Sequence, residues 1–136
     1  MNWRSKELAD VVPLTAWLPE DVAAKTWTDA EAVLSRKTYG LPAGRFRFEE
    51  RCSTENEEVA TAWLKQTLAA EEGNVFVVFD RSDVLEISIK RLFEIWNDIF
   101  YPSRDDAVVF KAHADWILCY SHWEMFEFGR TKRDAP

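Results

Sequence analysis

The sequence predicts an α+β domain in which a largely antiparallel sheet of four to five strands is covered by three or four helices. Three observations carry that expectation. Ile89, Leu92, Phe93, Trp96, Ile99 and Phe100 recur at helical spacing, while Lys90, Arg91, Glu94, Asn97 and Asp98 take the opposite side. Past Pro102, the runs "AVVFKA", "WILCYSH" and "MFEFG" succeed one another across short turns, as hairpin-connected strands do. The order of elements is helices, strand, helix, strand, helix, then two or three strands, which suits an antiparallel sheet with segregated helices.

The elements follow in order. Residues 13–40 read as helical. Pro19 suits the first turn of a short helix. Thr28 and Glu31 have the spacing of a capping box, in which each side chain satisfies the other's free amide. Val33, Leu34 and Lys37 continue that helix, and Gly40 is its natural stop. "GRFRFEERC" alternates Phe46 and Phe48 with Arg45, Arg47 and Glu49, the period of a half-exposed strand. Thr54 and Glu57 form a second capping box. The helix that they open places Val59, Ala60, Trp63, Leu64, Thr67 and Leu68 on one stripe and stops at Gly73. "NVFVVF" is apolar on both faces and belongs in the middle of the sheet. The amphipathic helix spans 88–101. The turn "PSRDD" leads to "AVVFKA", "HAD" turns into "WILCYSH", and "MFEFG" is the last short strand.

Composition bounds what such a domain does. At 136 residues, 47% hydrophobic and 14% aromatic, the chain suits one folded domain over 1–136, with 1–10 and 130–136 expected to fray. Seven Trp and nine Phe against four Gly argue against disorder. The segment "MNWRSKELADVVPLTAW" lacks the continuous apolar run of a secretory signal, and no run approaches the length needed to span a bilayer. Cys52 and Cys119 make no disulfide framework, so a cytoplasmic, reducing location is expected. The net charge of −7 and the scatter of Lys and Arg disfavour nucleic acid as a partner and favour a basic protein, whose encounter complementary charge would speed.

One stretch is rich in reactive side chains: "CYSHWEMFEFGR", residues 119–130. On a strand, Cys119 and His122 point to opposite faces, because the side-chain period is two. Nucleophilic cysteine chemistry needs a base and an orienting group around an accessible thiolate, and His113 and Asp115 are the only further candidates. Cys119 and His122 are a single pair of zinc-type ligands without a second pair. The expectation is therefore a buried, inert Cys119, with no catalytic set, metal site or cofactor. Adjacent acids such as Glu49-Glu50, Glu71-Glu72 and Asp105-Asp106 read as solvated surface, and Asp80 as a strand-ending cap. Trp123 interrupts a polar turn and is a candidate interface anchor.

The segments "WNDIFYPSRDDAVVF" and "WILCYSHWEMFEFGR" resemble small bacterial immunity proteins of toxin systems: an amphipathic helix, an acidic turn, and a hairpin ending in His and Glu. The likeness covers roughly residues 75–129. Here the histidine is followed by Trp123 before Glu124, a departure from a directly acidic continuation. The resemblance implies a cytosolic inhibitor that binds a cognate toxin and performs no chemistry. The partner-binding residues expected on this reading are Asp105, Asp106, Trp123, Glu124 and Glu127, facing a basic toxin surface. The alternative is a small enzyme or ligand-binding domain with a pocket near Asp80, Asp83, Cys119 and His122.

Overall fold

A computed structural model describes residues 3–33, 46–80, 82–111 and 116–131. Its centre is one antiparallel sheet of six strands: β1 (Phe46–Ser53), β2 (Asn74–Val78), β3 (Val84–Ser88), β4 (Ala107–Phe110), β5 (Trp116–Ser121) and β6 (Met125–Thr131), in the order β1-β6-β5-β4-β2-β3. Among the described residues four helices accompany it, namely α1 (Trp3–Glu7), α2 (Glu20–Val33), α3 (Glu57–Thr67) and α4 (Ile89–Ile99), with a 3-10 turn at Leu14–Ala16. The chain is an α+β protein, with one strand more than the sequence predicts. The extra strand is β3, which runs into α4 with only Ser88 between its last apolar residue and the helix.

Pleating sorts the side chains into two cores. Val75, Val77, Leu85, Ile87, Val109, Trp116, Leu118, Tyr120, Phe126 and Phe128 face α3 and α4. Val78 and Val84 point the other way, onto Ala23 of α2, with Leu18, Trp27, Phe76, Val108 and Phe110 around them. The strand apolar on both faces is thus buried on both, between β4 and β3. The edge of β3 is partly covered: Leu18 N–H donates to the Val84 carbonyl, and Trp17 bridges to Leu85.

Helix α4 forms where the periodicity is strongest. The Ser88 side chain caps it by accepting from Arg91 N–H at 3.1 Å, and Ile89, Leu92, Ile95, Trp96 and Ile99 are buried along one stripe. Phe93 is only half-buried, and Ile95 takes the place in the core that the sequence reading gave it. In α3, Ala60 and Leu64 are buried and Trp63 half-buried, whereas Val59 is exposed; Leu68, just past the helix end, is buried too.

Two helix starts differ from the capping-box expectation. Residue Thr28 lies inside α2, where its hydroxyl donates back to the Ala24 carbonyl at 3.0 Å. That helix continues because Ala23 and Trp27 pack on the sheet. The cap of α3 is Asn56, whose side chain accepts from Val59 N–H, rather than Thr54. The same helix ends at Thr67, and the chain turns into β2 through Gly73, whose φ of +88° suits a residue without a Cβ. Lys37 and Gly40, like the "HAD" turn with His113 and Asp115, lie outside the described residues. Near the N-terminus, Arg4, Ser5, Leu8 and Val12 are buried.

Candidate interaction surface

At one end of the sheet, three turns converge: residues 79–80 and 82–83 between β2 and β3, 100–106 between α4 and β4, and 122–124 between β5 and β6. Helix α1 lies against the first two. The cause is Arg4, whose Nε donates to Asp83 Oδ2 at 3.3 Å and whose Nη1 donates to Asp105 Oδ1 at 3.1 Å. All three side chains are nearly solvent-free, at 8%, 4% and 2% exposure. The guanidinium also stacks over Phe79, 4.4 Å from its ring centre, and over Trp3. Burying these ions is tolerable only because each is met by hydrogen bonds of opposite charge.

The hub of this network is Asp105. It accepts from Arg4, from Arg104 Nε at 3.0 Å and Nη2 at 3.2 Å, and from the Tyr101 backbone N–H at 2.9 Å. Burial pushes its carboxyl up, but Arg104, the Tyr101 amide and Arg4 together outweigh burial and hold it below the usual carboxylate range. Asp83 goes the other way. Burial and then the neighbouring Asp80 raise it, and Arg4 only partly compensates.

The turn between β5 and β6 is braced from three sides. Asp106 Oδ1 accepts from His122 N–H at 3.0 Å and lies 2.9 Å from His122 Nδ1. The His122 carbonyl accepts from Ser103 N–H, and the Glu124 carbonyl accepts from Thr54 N–H. Ser103 and Glu124 sit at φ of +65° and +57°, left-handed conformations that cost non-glycine residues roughly 1 kcal/mol or more. The surrounding hydrogen bonds hold both in place. On this frame Trp123 is 67% exposed, its ring 4.4 Å from that of His122.

The structure therefore brings Asp106, Trp123 and Glu124 together and separates the other two expected partner-binding residues from them. Asp105 is withdrawn into the network under α1, and so presents no carboxylate to a partner. Glu127 lies within β6, 8% exposed, paired across the sheet with Cys119 and reached by Arg51 at 3.4 Å. Sequence reasoning missed Trp3, Arg4, Tyr101 and Arg104. Arg104 lies between the Trp3 and Tyr101 rings, 4.9 and 4.1 Å from their centres, and is tied to Glu7 at 3.1 Å. The only local hint was an arginine beside or near each aromatic.

The four residues of the alternative pocket have separate structural tasks. Asp80 Oδ1 accepts from Ser82 and Asp83 N–H, both at 2.8 Å, closing the turn. Asp83 pairs with Arg4, and His122 with Asp106. Cys119 is 3% exposed on the sheet face opposite α4, and its thiol is pushed far up by burial, then by Glu127 and Asp106. In the folded protein a thiol reagent is expected to modify half-buried Cys52 first, and Cys119 only on unfolding. Rapid labelling of Cys119 under native conditions, read by mass spectrometry, would contradict this. Among the described residues, no three His, Cys, Asp or Glu side chains group as metal ligands, and no helix is long and apolar enough to cross a membrane.

Comparison with protein-family models, with curated proteins and with solved structures finds no match to this chain.

Proposed function

We propose that the protein is a non-enzymatic, protein-binding inhibitor of immunity type that acts in the cytoplasm and neutralises a cognate toxin by covering a basic surface on it. The observation that carries this reading is the large exposed indole of Trp123 on a turn held rigid by Asp106, Ser103 and Thr54. Rigid aromatic anchors supply most of the holding energy of an interface at little entropic cost, because their rotamers are ordered before binding. Asp106 and Glu124 beside the anchor add a negative field, in keeping with the net charge of −7. Carboxylates at such a rim raise the association rate toward a basic partner.

The test uses a candidate toxin domain with a basic surface. Co-production is expected to protect cells from it. Trp123→Ala should weaken binding by about 2 kcal/mol, roughly thirtyfold, while folding stability changes by less than about 0.5 kcal/mol. Glu124→Lys should slow association and flatten its salt dependence. The reading fails if both variants bind as tightly as the unaltered chain with the same salt dependence.

A further inference from the structure

The exposed apolar side chains are unevenly placed. Among the described residues the large ones are Trp3, Leu14, Val22, Val59, Tyr101 and Trp123, and the three aromatics all lie at the end of the sheet where the turns converge. Trp3 is 53% and Tyr101 37% exposed. They are not isolated from the Trp123 turn. Arg104 stacks between Trp3 and Tyr101, its neighbour Ser103 donates to the His122 carbonyl, and the His122 ring lies against Trp123. An unbroken line of side chains and turn backbone thus runs from Trp3 through Arg104 and Ser103 to Trp123.

We propose that this whole line is one docking surface, and that its occupant is a basic segment of a protein partner. The proposal rests on the reading above and extends it from one anchor to three. Charge supplies the argument for the occupant. Arg4 and Arg104 are engaged by Asp83, Asp105 and Glu7, so neither guanidinium is left to attract an acidic partner. No Lys or Arg among the described residues pairs with Asp106 or Glu124; Asp106 is met by His122, which leaves Glu124 as the carboxylate that a cation would meet. The segment that fits sets an arginine or lysine opposite Glu124 and lays apolar side chains against Trp3 and Tyr101. Rigidity favours the same surface. Arg104 is held by two carboxylates, and Asp105 ties the 101–106 turn to α1, so the aromatics are positioned before any partner arrives.

The experiment selects random dodecapeptides on the full chain and measures the enriched peptides by calorimetry against Trp123→Ala, Trp3→Ala and Tyr101→Ala. The expected peptides are rich in Arg and Lys, and lose roughly tenfold or more in affinity on Trp123→Ala and on Trp3→Ala alike. In the unaltered chain they should shift the indole N–H resonances of both Trp3 and Trp123, which needs no variant to fold. Peptides that depend on Trp123 but neither affect Trp3 nor respond to Tyr101→Ala would overturn the extended surface and leave the single-anchor reading standing. Enrichment of acidic peptides, of none, or of peptides indifferent to all three variants would overturn both. Self-association of the unaltered chain that Trp3→Ala abolishes would assign the surface to a second copy and overturn the proposal too.

Discussion

Replacing Arg4 with alanine is expected to cost about 3–5 kcal/mol of folding stability, because it leaves two buried carboxylates short of their cation. Asp105 keeps Arg104, but Asp83 loses Arg4 while Asp80, a charge of the same sign, stays beside it. The loss is read from urea denaturation, and its pH dependence has a definite sign. In the unaltered chain, the depressed carboxyl of Asp105 contributes stability that is present above the ordinary carboxylate range and fades as pH falls through its lowered value. Without Arg4 that contribution shrinks. The raised carboxyl of Asp83 loses the influence that lowered it, so its folded form favours the proton still more. A carboxyl raised on folding stabilises below its unfolded value and loses that stabilisation as pH rises through the folded one. Both effects widen the gap between the two proteins at neutral pH and narrow it in acid. A gap that stays constant from neutral pH down to the carboxylate range would show that Arg4 acts through packing on Phe79 and Trp3 alone.

Trp96→Ala is the second large effect, at about 3–5 kcal/mol. The Trp96 side chain is 2% exposed, its ring meets that of Phe126 edge-on at 5.2 Å, and its Nε1–H donates to Thr61 Oγ1 at 2.8 Å. Truncation therefore opens a cavity where α3, α4 and β6 meet and strands the Thr61 hydroxyl. Thr61→Val alone should cost far less, on the order of 1 kcal/mol, because only one partly buried hydrogen bond is lost. A loss below about 1 kcal/mol for Trp96→Ala would mean that the three elements do not share a packed junction.

What the sequence displayed was the part of the fold governed by local period. The stripe of α4 repeats over three turns, and the alternation of β5 and β6 is interrupted only by the turn that carries Trp123. Exposure of Trp123 was legible for the same reason: a large ring among polar turn residues has no strand face to enter. β3 was not, since its five residues merge into the stronger helical pattern beginning at Ile89. Thr28 looked like a cap because capping boxes are local signatures, whereas the continuation of α2 is decided by contacts with Val78 and Val84. Asp105 and Asp106 are chemically the same and adjacent, yet one turns inward to a guanidinium and the other outward to His122. That choice is made by Arg4, which is 101 positions from Asp105 and 79 from Asp83. No pattern within a window of residues contains it.

The strand order carries a consequence for how the chain reaches its native state. β1 pairs with β6 from Phe46 opposite Thr131 to Ser53 opposite Met125, with a shift of register between Phe48 and Glu50, although every other strand among the described residues lies between them in the sequence. A ribosome therefore releases β1 long before β6, the strand that it pairs with, exists. Until β6 emerges, that segment must wait with its hydrogen-bonding groups unmatched, a template for pairing with another chain. The late closure of so long a loop is expected to make the β1–β6 seam a slow step of folding, with the hazard of misassembly in the interval before it.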